Sequence, residues 1–357
     1  MKPKKHLQPK KALLKFDRDF ANLESLRADI STCLRTGDNL WLSYDEDAGI
    51  ERLTRRPGKR KFGHHEHHPL SEYFELPDQS ELDLEALAYE APYLWFSGSM
   101  SLKRGKPDPD DETDAQFAAL AEIKQDLNRF NLGRIPCLER DGEFRLYREV
   151  EHEGRTLRAA LLRGGNASNE LRNALLNDEH LGPFMTMPSK DNGFDIEGLA
   201  VHGGRLFLGL RGPVLNGHAV IVEIACDERD GELLMRPFEG EPRLYRKHFV
   251  DLQGRGIREL NTAAKGDLYL LAGPTMDLDG TVSVCRIPGG LADRTASVER
   301  NVQWLFDTAS GGGGPGLDKA EGMAFLGGGE MLIVYDAPSP KRLKGKRSVV
   351  MDVYPLK

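Results

Sequence analysis

Cysteine is scarce in this chain of 357 residues, which has Cys33, Cys137, Cys226 and Cys285 and no others. No two of them form a Cys-x-x-Cys pair, and three lie in or beside apolar runs, so buried free thiols are expected rather than a disulfide framework. Long apolar runs are also missing. The basic start Met1-Lys2-Pro3-Lys4-Lys5-His6 is followed by none, so neither a signal peptide nor a transmembrane helix is expected, and a reducing, cytoplasmic compartment is the simplest reading. Positive charge is in deficit: the formal net charge is -7, which argues against wholesale nucleic-acid binding. There is no Gly-x-Ser-x-Gly elbow, no P-loop and no Gly-x-Gly-x-x-Gly after a strand. Gly 38 and Pro 20 suffice for many turns but are too few and too dispersed for a disordered chain.

What is present is a repeat. The phrase Asn22-Leu23-Glu24-Ser25-Leu26 recurs as Asp83-Leu84-Glu85-Ala86-Leu87, Asp195-Ile196-Glu197-Gly198-Leu199, Gly256-Ile257-Arg258-Glu259-Leu260 and Lys319-Ala320-Glu321-Gly322-Met323. A second phrase follows each copy, from Leu40-Trp41-Leu42-Ser43 to Leu332-Ile333-Val334-Tyr335. The spacing between copies is about sixty residues, except for one interval roughly fifty longer, and such a period decides the fold before any local reading does. Short β-branched and aromatic runs separated by Gly, Asp and Pro are strands and turns. Four strands per repeat make a propeller blade.

The expected fold is therefore all-β: one β-propeller domain over residues 1-357, five-bladed, with six blades as the alternative. The last unit lacks a fourth strand, and Ala12-Leu13-Leu14-Lys15-Phe16 can supply it, closing the ring and removing an exposed edge. The long interval accommodates helical insertions in blade two, at about 105-133 and 165-190. Phe117, Leu120, Ala121, Lys124 and Leu127 follow a helical period, and Asn169 to Asn177 forms a second such segment. The hairpin Ile135–Glu139 and Phe144–Val150 is the candidate remnant of a sixth blade.

Asp191-Asn192-Gly193-Phe194-Asp195-Ile196-Glu197-Gly198-Leu199-Ala200-Val201, with Leu208-Gly209-Leu210-Arg211-Gly212-Pro213-Val214, resembles the bacterial DUF3616 family, defined as of unknown function. So do Gly98-Ser99-Met100-Ser101-Leu102-Lys103-Arg104 and Leu271-Ala272-Gly273-Pro274-Thr275-Met276-Asp277. A looser likeness runs to esterase-like phytases, calcium-activated nucleotidases and gluconolactonase-type sugar lactonases. The first two are propellers with an acidic residue opening the inner strand, and the lactonases use a similar Glu-Gly-Pro phrase to hold a metal. The likeness implies a fold and a position for acidic groups; fold alone does not fix function.

In a propeller the first strand of each blade lines the central channel, so Glu24, Glu85, Glu197, Arg258 and Glu321 are expected to form a ring near one mouth. Converging carboxylates raise one another's pKa. A hard divalent cation such as Ca²⁺ on Glu24, Glu85, Glu197 and Glu321 would offset that, and so would Arg258 paired with two glutamates. A third possibility is that each glutamate merely caps a neighbouring blade. Lys103, Arg211 and Arg258 are candidate contacts for an anionic ligand, alongside Arg104, Lys190 and Lys319; salt bridges between blades are the bland alternative. Gly311-Gly312-Gly313-Gly314-Pro315-Gly316 is a flexible cover for the mouth or a plain linker. His64-His65-Glu66-His67-His68 has metal-binding residue types, but sequence neighbours seldom build a tetrahedral site, so an exposed turn is expected there. Two functions follow: a metal-assisted hydrolase of a phosphate ester or similar anionic small molecule, or a non-catalytic propeller that binds a small molecule or a protein. Neither nucleic acid nor membrane is an expected partner.

Overall fold

Strands such as Asn39–Tyr44 are buried along their whole length, which is why their sequences read as continuous apolar runs without polar alternation. Such strands need cover on both faces, and stacking sheet on sheet provides it. A computed structural model describes residues 7–44, 47–76, 82–165, 168–263, 265–276, 278–309 and 314–356. Among these residues five antiparallel meanders stand out.

The first sheet is Ile30–Thr36, Asn39–Tyr44, Gly49–Arg55 and Lys61–Pro69. The second is Leu84–Glu90, Tyr93–Gly98, Leu132–Arg140 and Glu143–Leu146. Asp195–His202, Arg205–Gly212, His218–Arg229 and Tyr245–Asp251 form the third. Gly256–Thr262, Leu268–Gly273, Ser283–Ile287 and Gln303–Asp307 form the fourth. The fifth takes Lys319–Gly327, Glu330–Asp336 and Ser348–Pro355 from the end of the chain and Lys10–Lys15 from its beginning.

The opening strands of the five sheets pack side by side in cyclic order. Ile30–Thr36 meets Leu84–Glu90, which meets Asp195–His202, then Gly256–Thr262, then Lys319–Gly327, which returns to Ile30–Thr36. Apolar layers between sheets follow the same circuit. Trp41 and Phe96 fill the layer between the first and second sheets, Leu199 and Leu132 that between second and third, and Phe207 and Leu270 that between third and fourth. Met323, Val353 and Phe306 share a layer with Leu42 of the first. Each large side chain fully removed from water here contributes on the order of 1.5–3 kcal/mol. The molecule is thus all-β and propeller-like.

The chain ends are joined by a six-residue antiparallel register, from Lys10↔Val353 to Lys15↔Ser348. Charge reinforces it. Asp352, fully buried, accepts from Arg342 Nη1 and Nη2, both at 3.1 Å, from Tyr335 Oη at 3.0 Å and from Lys11 Nζ. With that many donors the buried carboxylate is compensated rather than orphaned.

Three expectations need correction. The hairpin of Leu132–Arg140 and Glu143–Leu146 belongs to the second sheet, where its strands continue the order begun by Leu84–Glu90 and Tyr93–Gly98, while Glu149–His152 pairs with Arg155–Arg158 outside it. The first insertion lies between strands of that sheet and holds an α-helix over Thr113–Ala121 and a short 3-10 helix over Leu127–Phe130. Lys124 and Leu127 fall outside the α-helix, and Phe117 and Leu120 are 66% and 46% exposed, so the helical period there does not mark a buried face. The second insertion lies between the second and third sheets; its helix, Glu170–Leu175, is capped by the Asn169 side chain accepting from Arg172 N–H. Of the cysteines, Cys33, Cys137 and Cys285 are buried free thiols and Cys226 is half-buried.

Candidate functional site

Every opening strand carries a β-bulge near its start. The register skips Ser31, Glu85, Glu197, Arg258 and Glu321 in turn. A bulged residue stands outside the strand register and its side chain is re-aimed, so five such residues on strands packed in cyclic order are brought to one level of the fold. Glu24 is not among them. It lies on a short helix, Leu23–Ala28, with its side chain 93% exposed and Arg27 at 3.9 Å. Ser31 holds the position in the first sheet, so the ring has three glutamates, one arginine and one serine.

A second cation enters from the neighbouring strand. Arg211 is itself skipped by the register between Asp195↔Gly212 and Ile196↔Leu210. Its guanidinium spans Asp195 Oδ2 at 2.6 Å and Glu197 Oε1 at 2.7 Å. Arg258 then links Glu197 Oε2, 3.2 Å from its Nε, to Glu321. Glu197 is shared by two guanidinium groups. Gly256 permits this approach: a Cβ there would lie 2.1 Å from the Arg211 carbonyl oxygen. Burial opposes both arginine charges, but Asp195 and Glu197 hold the Arg211 guanidinium protonated, and Glu197 and Glu321 do the same for Arg258. Asp195 is the loser in this arrangement. Burial pushes its carboxyl up to about 7; Arg211 opposes the shift, and Glu197 and Asp83 add to it.

The charges extend along the second sheet. Asp83 pairs with Arg129 at 2.5 Å, and Arg129 donates to Ser101 Oγ at 2.7 Å. Asp126 lies 3.6 Å from Arg129 and 3.0 Å from Lys103. Lys103 therefore stands in this side branch, while Arg211 and Arg258 stand in the ring. One residue deeper along each opening strand come Thr32, Ala86, Gly198, Glu259 and Gly322. Here the strands touch: a Cβ on Gly198 would sit 2.9 Å from Leu260 N. Glu259 is the one large residue at this level. It is 1% exposed and accepts from Thr32 Oγ1 at 2.6 Å and from Leu260 N–H at 2.8 Å. Burial drives its carboxyl well above the ordinary range, with those hydrogen bonds opposing.

A family model, DUF3616, described as a protein of unknown function, matches residues 29–352. The chain belongs to the DUF3616 family. The matched segment of this DUF3616 protein begins after Glu24 and includes all five bulges. No curated protein matches the chain. Among solved structures it is similar to the PQQ-bound aldose sugar dehydrogenase of Streptomyces coelicolor, at 10% identity and a TM-score of 0.38 over 98% of this chain and 99% of that one. It is similar also to PhoX of Pseudomonas fluorescens in complex with vanadate, at 10% identity and a TM-score of 0.34 over 97% and 75%. A calcium-binding regucalcin of Agrobacterium tumefaciens matches at 11% identity and a TM-score of 0.30 over 92% and 93%.

Beside the ring, between the fourth and fifth sheets, opens a cavity of about 470 Å³. Arg258, Lys319, Thr281, Asp279 and the backbone of Gly314 and Gly316 line it. Residues 311–313 of the glycine-rich loop lie outside the described residues. Lys319 is 3.6 Å from Asp336 and remains 43% exposed.

The histidine motif of the DUF3616 chain is not an exposed turn. It runs through the strand Lys61–Pro69, and strand alternation separates its members. His65 and His67 turn to one face, where both meet the fully buried Glu51. Glu66, on the other face, pairs with Arg52. Sequence reasoning missed Asp195, Ser31, Glu259 and Glu51. Asp195 and Glu259 left a usable signal, since each sits within a repeat phrase; Glu51 left none.

Proposed function

We propose that the five sheets are the blades of one closed five-bladed propeller, and that its channel mouth is a non-catalytic binding site for a small anionic molecule. The cyclic packing of the opening strands supports the first part. The observation that carries the second is Arg258, which is held between Glu197 and Glu321 on the ring side and lines the 470 Å³ cavity on the other. That volume is within the range of small-molecule clefts, about 300–1,000 Å³. A ligand carboxylate or phosphate there would find Arg258, Lys319 and the backbone of two glycines. Glu197 and Glu321 position Arg258 for that contact.

The other reading, a divalent-cation-dependent hydrolase with Ca²⁺ on Glu85, Glu197 and Glu321, requires the cation to displace Arg258 from two carboxylates. Arg211 would still occupy Glu197. The geometry therefore favours the binding propeller.

The test is a thermal-shift screen of the purified protein with phosphate, citrate, sugar phosphates and nucleotides, each with Ca²⁺ or EDTA. At least one anion is expected to raise Tm independently of EDTA. Lys319→Ala should weaken its binding about tenfold or more, the loss of one charge-assisted contact. Stabilisation by Ca²⁺ together with phosphatase or lactonase turnover that Glu197→Gln abolishes would replace this reading with the hydrolase. No response to any anion or cation would remove both.

A further inference from the structure

The face of the first sheet that carries His65 and His67 holds a second cluster, remote in chemistry from the arginine ring. Glu51 lies on the third strand and is fully buried; His65 and His67 lie on the fourth. Asp47 precedes the third strand. Its Oδ1 accepts from Ala48 N–H at 2.7 Å and its Oδ2 from Tyr44 Oη at 2.6 Å.

The hydrogen bonds assign the roles. The backbone N–H of Asp17 donates to His65 Nδ1 at 3.3 Å. That nitrogen is therefore an acceptor, and His65 Nε2 carries the proton donated to Glu51 Oε2 at 2.6 Å. One oxygen of Glu51 is thus occupied and the carboxylate is oriented. Its other oxygen, Oε1, lies 2.7 Å from His67 Nδ1, and His67 Nδ1 lies 3.9 Å from Asp47 Oδ2. Ligand atoms of Asp47, Glu51 and His67 all fall within 4.8 Å of one another. Tetrahedral ligands at about 2.0–2.1 Å from Zn²⁺ stand roughly 3.3 Å apart. The two His67 distances bracket that spacing, so a movement of the ring toward Asp47 lengthens the one and shortens the other toward it. Gly49 makes room for the ring: a Cβ there would lie 2.4 Å from His67 Cε1. Phe20 walls the cluster, its ring centroid 5.1 Å from those of both histidines.

We propose that Asp47 Oδ2, Glu51 Oε1 and His67 Nδ1 form a binding site for a first-row divalent transition metal such as Zn²⁺, with His65 and Tyr44 as positioning residues that orient Glu51 and Asp47. Two carboxylates neutralise the dication, and the imidazole selects Zn²⁺ over Ca²⁺. Ligating carboxylates that are themselves hydrogen-bonded are the usual outer arrangement of such sites. Three protein ligands leave a fourth position, and Asp47 and His67, 21% and 28% exposed in their side chains, put it within reach of solvent.

The test uses the full chain without a histidine tag, stripped with EDTA and titrated with Zn²⁺, Co²⁺ and Ca²⁺. One equivalent of Zn²⁺ is expected to bind with a rise in Tm, and Co²⁺ to give the visible absorption of a low-coordinate site. His67→Ala and Asp47→Asn should each lower Zn²⁺ affinity about 100-fold or more, and Tyr44→Phe about 10–100-fold. His64→Ala, on an exposed residue of the same strand, should change nothing. Should a ligand variant fail to fold, the wild-type stoichiometry and Co²⁺ spectrum still decide. Absence of a one-equivalent Zn²⁺ complex in the wild type, or binding that survives both ligand substitutions, overturns the proposal.

Discussion

Glu197 and Glu259 are both buried carboxylates on neighbouring opening strands, one level apart along the same channel, yet they are neutralised in opposite ways. Glu197 has two guanidinium groups within reach and sits in a ring of fixed charge. Glu259 has a hydroxyl and backbone N–H donors for partners, and burial favours its protonated form. The difference follows from space. At the bulges there is room for two arginine side chains between the carboxylates. One residue deeper the strands approach so closely that Gly198 cannot carry a Cβ without meeting Leu260. At Glu197 a long cation fits and pairs with the carboxylate; at Glu259 none does, and burial favours the proton.

The harshest way to break the contrast is to remove the cation from the upper level. Arg258→Met would leave Glu197 and Glu321 short of a buried partner. Breaking a buried ion pair costs about 3–5 kcal/mol, and denaturant unfolding should show a loss of that size. Adding Glu321→Gln should recover part of it, because one uncompensated charge then disappears. A double mutant no better than the single would mean that Arg258 acts through packing alone.

A smaller loss is expected from closing the lower level further. Gly198→Ala forces the third and fourth opening strands apart at the point of contact, and overpacking of this kind costs about 1–3 kcal/mol. An unchanged midpoint would show that the strands can slide at that level, and the spatial account of Glu259 would fall with it.

Glu259→Gln tests the protonation itself, with the sign fixed by linkage. The unfolded carboxyl titrates near 4.3, while in the fold it is held well above that. Between those values the folded state binds the extra proton, so wild-type stability declines as pH rises above about 4.3. Glutamine cannot lose a proton and should flatten that decline. The two proteins should differ by less than about 1 kcal/mol near pH 4, where both carry a neutral side chain, with the variant gaining as pH rises. Parallel stability profiles from pH 4 to 9 would show that Glu259 is ionised in the fold.

Much of this architecture is legible in the repeat. Continuous apolar phrases marked second strands because those strands are buried on both faces. Charged phrases marked opening strands in four sheets because a bulge presents a charged residue, three times glutamate and once arginine, at the same place in each. The helix around Phe117 was legible as a helix, but its packing was not, since periodicity reports an apolar stripe whether or not anything covers it. At the site, Arg258 was visible as the exception within the repeat. The pairing of Arg211 with Glu197 was not, because it depends on a bulge in a second strand that leaves no mark in residue type. Glu51 and His67 are sixteen residues apart, and a turn and a strand register bring them together, which no motif encodes.

The smallest expected effect is the sharpest check on the ring. Asn22-Leu23-Glu24-Ser25-Leu26 copies the repeat phrase in composition, but Leu23 and Leu26 are spaced for a helical turn, and Leu23–Ala28 is a helix. The opening strand of the first sheet begins at Ile30, and Ser31 there has no charge to match the phrase. Glu24, with its side chain 93% exposed, belongs to neither level of the channel. Glu24→Gln should leave the unfolding midpoint within about 0.5 kcal/mol of wild type, as surface substitutions usually do, and leave anion binding at the mouth unchanged. Ser31→Glu should behave differently: it adds a fourth carboxylate to the ring of bulged residues, and the mouth should bind anions less tightly. If Glu24→Gln weakened binding and Ser31→Glu did not, the bulge would not be the feature that defines the ring.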